Sequence, residues 1–242
     1  MRLSTVAGIG IAASIIAWQW WPDLPSLARG WTALLIGMLP AFAVVQAKAA
    51  AGLQELPPRS KIYISTIASL WVLAFTTALV ASYSGISPRL LGVVALPWVP
   101  FAIWFLFGLL GAGAIILAFR AFGIGETQMI HHMIPVTKGE KLLYVGVSLS
   151  AGICEELVFR GCLIATLTVA TGSVSMAIIV SAVVFGIAHA HQDAAGALRA
   201  GLLALVLSIP LLMSGSLYPG IAAHAAIDLL AGLSLSKWLL KS

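Results

Sequence analysis

Tyr144–Ala170 reads YVGVSLSAGICEELVFRGCLIATLTVA, an apolar run of helix-spanning length with Glu155, Glu156 and Arg160 near its middle. Without those three side chains it would be an ordinary transmembrane segment. The composition on either side supports a membrane setting. Of 242 residues 61% are hydrophobic and only 9% charged, against roughly 25% charged in a soluble domain. With this one, the apolar spans are expected near 3–21, 31–50, 62–83, 90–119, 142–168, 173–190, 196–213 and 217–240. They lack the strict alternation of barrel strands and are too long for them. The expected fold is therefore all-α: a polytopic bundle of about eight transmembrane helices. Residues 1–141 would form four helices and a loop, and 142–242 the part rich in motifs, within one integral membrane unit. The span 90–119 carries Pro97 and Pro100, so it is expected either as one long kinked helix or as two short ones.

Charge distinguishes the counts. With eight spans, one side holds ten of the thirteen basic residues (Arg2, Lys48, Arg59, Lys61, Arg120, Lys138, Lys141, Arg199, Lys237 and Lys241), the other only Arg29 and Arg89. Nine spans give a weaker partition. The positive-inside rule then places both termini in the cytoplasm of a multi-pass cell-membrane protein. The net charge of +5 is accounted for by loops facing anionic headgroups, so lipids are the expected partners and nucleic acid is not. The first span ends in WQWWP without a small-residue cleavage site, so it reads as a retained helix. Cys154 and Cys162 lie about 12 Å apart along one helix, too far to pair. The connection 120–141, with His131 and His132, reads as a solvated loop.

An ionisable residue at mid-membrane costs about 2.5–3.5 kcal/mol on insertion scales and normally faces the bundle interior. On an α-helix Glu156 and Arg160 share a face and can pair, whereas Glu155 points about 100° away, without a partner on its own helix. A structural ion-pair network would account for these three alone. Two more spans carry polar groups, however. VVFGIAHAH places Phe185 one turn before His189, and SLYPGIAAHAAIDLL places His224 one turn before Asp228. A carboxylate and an imidazole in a low-dielectric cavity can hold and deprotonate a water, and a second imidazole can stabilise a developing oxyanion. That combination suits hydrolysis of an acyl bond. The same Glu155, His189 and His224 are alternatively a ligand set for zinc, although no HExxH helix is present.

EExxxR at Glu155, Glu156 and Arg160, FxxxH at Phe185 and His189, and HxxxD at His224 and Asp228 resemble, in this order, the three motifs of the CPBP family. That family comprises type II CAAX prenyl proteases and bacteriocin-processing or immunity (Abi) proteins. The contexts AGICEELVFRG, FGIAHAH and GSLYPGIAAHAAID are similar as well, and the resemblance covers about 142–235. It implies an intramembrane endopeptidase acting on a membrane-associated, in some members lipidated, peptide or protein. Glu155 would be the base and His189 would hold the water. His224 and Asp228 would orient substrate or stabilise the oxyanion, with Glu156, Arg160 and Phe185 in support. No cofactor is required, though the family has been described both as metallo- and as glutamate proteases. The resemblance also leaves a non-hydrolytic immunity or scaffold role, and a carrier is the reading outside the family. Asp228 stands where many members carry Asn, which disfavours it as a direct oxyanion donor.

Overall fold

The computed structural model describes residues 3–125 and 127–235. The described chain is all-helical, and six of its helices are long and apolar enough to cross a membrane. Arg2, Lys237, Lys241 and the end of the eighth expected span lie outside the described residues.

The helices are α1 (Leu3–Trp20), α2 (Ser26–Ile36), α3 (Met38–Ala51), α4 (Arg59–Tyr83), α5 (Trp98–Ala121) and the short α6 (Gln128–Met133). These are followed by α7 (Lys138–Glu155), α8 (Ile164–Thr171), α9 (Val174–Ala188), α10 (Asp193–Ser214) and α11 (Tyr218–Leu229). Their outer surface is apolar: Val72, Phe75 and Leu110 are all exposed, as lipid-facing residues are. The core is built where α7–α10 meet, around Phe159, Leu163, Leu167, Val184 and Phe185. Trp20 and Trp98 stand exposed at helix ends, whereas Trp31 turns inward and donates its indole N–H to Thr77 Oγ1 at 3.1 Å.

Four expectations need correction. The second span starts earlier and breaks at Gly37. A Cβ there would collide with Gly10 O and Ser14 Oγ of α1, so glycine allows this crossing. The fourth span is not split in two. Pro97 is the N-cap of one 24-residue helix, and Pro100 falls in its first turn, where a missing N–H costs nothing. Residues 90–97 are apolar without being helical. They brace the start of α11 through Leu217 N–H to Gly92 O (2.8 Å) and Ser216 Oγ–H to Val94 O (2.6 Å). The 120–141 connection is more than a solvated loop. It contains α6, whose N-cap Thr127 accepts from Ile130 N. Arg59 Nε donates to His132 O and Tyr63 Oη to Met133 O, both at 2.6 Å, so the α4 N-terminus holds this helix in place.

The fourth correction concerns the helix that carries the acidic pair. From Lys138 to Thr171 it is one 34-residue rod, opened by a capping box between Thr137 and Glu140. Its middle, Glu156–Leu163, is π-helical, an i→i+5 geometry that is rare and clusters at functional sites. Gly152, just before this segment, has no room for a Cβ against Ile221 O and Ala225 of α11. The close α7–α11 approach brings the third motif against the first.

Candidate active site

The three motifs meet around His224. Its Nδ1 lies 2.8 Å from Glu156 Oε1; because a carboxylate only accepts, Nδ1 carries the proton. The other ring nitrogen, Nε2, faces two more carboxylates, Glu155 Oε2 at 3.7 Å and Asp228 Oδ2 at 3.9 Å. One imidazole on α11 thus bridges the two adjacent glutamates of the α7 rod, and Glu155 finds across the helix interface the partner it lacks along its own helix.

Behind this bridge lies the ion pair. Arg160 Nη1 is 3.2 Å from the same Glu156 Oε1, both side chains essentially without solvent contact. Among the described residues the guanidinium makes no well-directed hydrogen bond; its plane is held by the Phe185 ring, 4.4 Å from the guanidinium carbon. Phe185 also contacts Phe159 edge-on at 5.0 Å and His189 at 4.4 Å between ring centres. It is the hub on which the second motif meets the first.

His189, expected to hold the water, is oriented by its own helix. Its Nδ1 is 2.9 Å from Phe185 O, and since a carbonyl only accepts, a neutral His189 carries its proton there and keeps an Nε2 lone pair. It meets Glu155 only through the cavity that both line, a space of about 560 Å³ whose wall includes Glu155, Arg160, Phe185, His189, His224 and Asp228. Residues from both 1–141 and 142–242 form this wall, Leu53, Ile62 and Leu70 among them. α6 contributes Met129, Ile130 and Met133, followed by Ile134.

The zinc alternative requires Glu155, His189 and His224 to converge on one point. Among the described residues no three His, Cys, Asp or Glu side chains group closely enough to hold a metal ion. The donor set does not fit, and no step below runs through a metal.

Several lining residues escaped the reading of the sequence. Tyr144 donates to Asp228 O at 3.2 Å and lines the cavity with Val147, Ser148, Ala151 and Glu155. Their spacing is the 3–4 repeat of one helix face, so extending the periodicity backwards from Glu155 would have found them. His191 and Gln192 also line it; His191 stands in the quoted stretch FGIAHAH, where only His189 attracted attention.

Comparison with known proteins bears on this site directly. Residues 138–230 match the family model described as type II CAAX prenyl endopeptidase Rce1-like, a stretch that contains all three motifs. No curated protein and no solved structure gives a significant match. In its motif-bearing part, then, this multi-pass membrane chain is similar to the type II CAAX prenyl endopeptidases, over 93 of its 242 residues.

Proposed function

We propose that the chain is an intramembrane CAAX-type endopeptidase that hydrolyses a peptide bond of a membrane-associated protein or peptide with water activated by Glu155. The observation that carries this reading is the pairing, on one cavity wall, of the Glu155 carboxylate with the His224 imidazole 3.7 Å away. That separation is longer than a hydrogen bond, as is common before substrate draws such groups together.

In this mechanism a water lies between Glu155 and the Nε2 lone pair of His189. Glu155 takes its proton as the oxygen attacks the scissile carbonyl carbon, and the carbonyl oxygen becomes an oxyanion facing His224. Collapse of the tetrahedral species breaks the C–N bond, and the proton held by Glu155 passes to the departing amine. Glu156 fixes the His224 ring through Nδ1, as a second carboxylate orients an imidazole in other hydrolases. Arg160 balances the charge of Glu156, so that Glu155 retains its own negative charge for proton abstraction. Asp228, its Oδ2 3.9 Å from His224 Nε2, has no N–H to donate and leaves the donor role to the imidazole, which in this step carries a proton on each ring nitrogen.

The test is cleavage of a prenylated CAAX peptide by the purified protein in lipid. Turnover should persist after exhaustive treatment with a strong chelator, because no step runs through a metal. Loss of turnover restored by added zinc would overturn the mechanism. Orientation follows from the partition of basic residues, nine against two once Arg199, which lies within α10, is left out: both termini and the 120–141 connection face the cytoplasm. Reporter fusions at residue 130 and at the C-terminus should give the same cytoplasmic signal; opposite signals would refute the topology.

A further inference from the structure

α9 has only 15 residues, about 22 Å of rise, short of the roughly 30 Å of hydrocarbon a bilayer presents. With Val174 at one bilayer surface, α9 brings the chain to its turn at His189–Asp193 before the opposite surface is reached. Irregular backbone at that depth is tolerated only where protein buries it or where it lines a water-filled cavity. Asp193 at its end is the one described non-glycine residue with positive φ (71°), a conformation that persists where its surroundings impose it. Here its Oδ1 accepts from Gly196 N at 2.9 Å and starts α10.

This turn presents His189, His191 and Gln192 to the cavity, the two imidazoles 5.8 Å apart. Gln192 is seated by its neighbour. A Cβ on Gly196 would lie 2.5 Å from Gln192 Cβ, so glycine is what lets the glutamine pack where it does. A second primary amide, Gln46 of α3, lines the same cavity. The mechanism above uses neither. A primary amide offers an N–H donor beside a C=O acceptor, the complement of the N–H and C=O of a peptide group. In a wall that is mostly apolar it recognises main chain rather than any particular side chain.

We propose that Gln192 is a substrate-positioning residue: its carboxamide pairs with one main-chain peptide group beside the scissile bond and sets the register of the bound peptide against Glu155. This rests on the endopeptidase reading and extends it from the reacting atoms to the recognition of the chain.

The experiment measures binding to the full-length protein carrying Glu155→Gln, so that the probe is not consumed. The probe is a prenylated CAAX peptide together with analogues N-methylated at one backbone amide at a time around the scissile bond. Adding Gln192→Leu should weaken the unmodified probe by about three- to tenfold, the range of one net hydrogen bond. One N-methyl analogue should suffer a similar loss against the Glu155→Gln protein and no further loss when Gln192→Leu is present. Gln192→Glu, which keeps size and acceptor, should preserve that N-methyl penalty and serves if the leucine variant misfolds. A merely structural glutamine would not couple to a single substrate amide. Equal N-methyl penalties with and without Gln192→Leu, unchanged affinity in that variant, or no peptide binding at all would overturn the proposal. Turnover retained by Glu155→Gln would sink the catalytic reading, and the same coupling would then be read from the KM of each analogue.

Discussion

Glu155→Gln is expected to leave the protein folded and peptide-binding while lowering hydrolysis by about 10²–10⁴-fold, the contribution of a positioned general base. Gln matches Glu in size and can still accept a hydrogen bond, so the 3.7 Å approach to His224 Nε2 is compatible with the substituted side chain. What disappears is the ability to take a proton. His189→Ala and His224→Ala should each reduce turnover too, the first by releasing the water, the second by removing the group that faces the oxyanion. Combining either with Glu155→Gln should add little, because residues that act on one transition state are not additive. Single-turnover cleavage of a prenylated CAAX peptide by the purified variants reads all of these. Near-normal turnover in Glu155→Gln would return the acidic pair to a purely structural role.

The second large effect is on stability. Glu156 and Arg160 are 0% and 1% exposed and 3.2 Å apart. Removing one partner leaves a buried charge without compensation, which costs on the order of 3–5 kcal/mol. Arg160→Ala should therefore lower the melting temperature in detergent sharply, with the lost contact to Phe185 adding to the loss. The double variant Glu156→Gln, Arg160→Met removes both charges, keeps an acceptor for His224 Nδ1 and retains apolar volume against Phe185, so it should be milder than Arg160→Ala alone. An unchanged melting temperature in Arg160→Ala would show that the pair carries no weight in the fold. The two glutamates are thus distinguishable by experiment: Glu155→Gln removes activity and leaves stability, whereas Arg160→Ala acts on stability first.

These expectations differ in how far they were legible beforehand. The Glu156–Arg160 pairing followed from a four-residue spacing, and it persists at 3.2 Å even though the segment is π-helical instead of α-helical. Proline was harder to read. Pro97 and Pro100 signalled an interruption but not its kind, because the same residues kink a helix from within and begin one at its N-terminus. The apolar run 90–97 looked like membrane span because hydropathy does not register that its backbone would be used to brace α11. The 120–141 connection looked solvated for the opposite reason: six residues of helix are too few to show a period, yet Met129, Ile130 and Met133 close the cavity.

By itself the sequence determined everything that depends on distance along the chain. Low charge and long apolar runs made the protein a helical membrane bundle, since lipid leaves backbone polar groups no other partners, and the order of three short motifs marked the candidate site. Tertiary structure decided which of those groups touch. The side-chain partners of Glu155 and Glu156 on α11 lie some seventy positions away, and nothing in local spacing separates His189 from His224 as the imidazole that reaches them. That choice was made by the tight α7–α11 crossing at Gly152 and by Phe185, which holds Arg160 and His189 on its ring. Close packing of helix faces fixes contacts to fractions of an ångström, a scale on which the sequence is silent until the chain has folded.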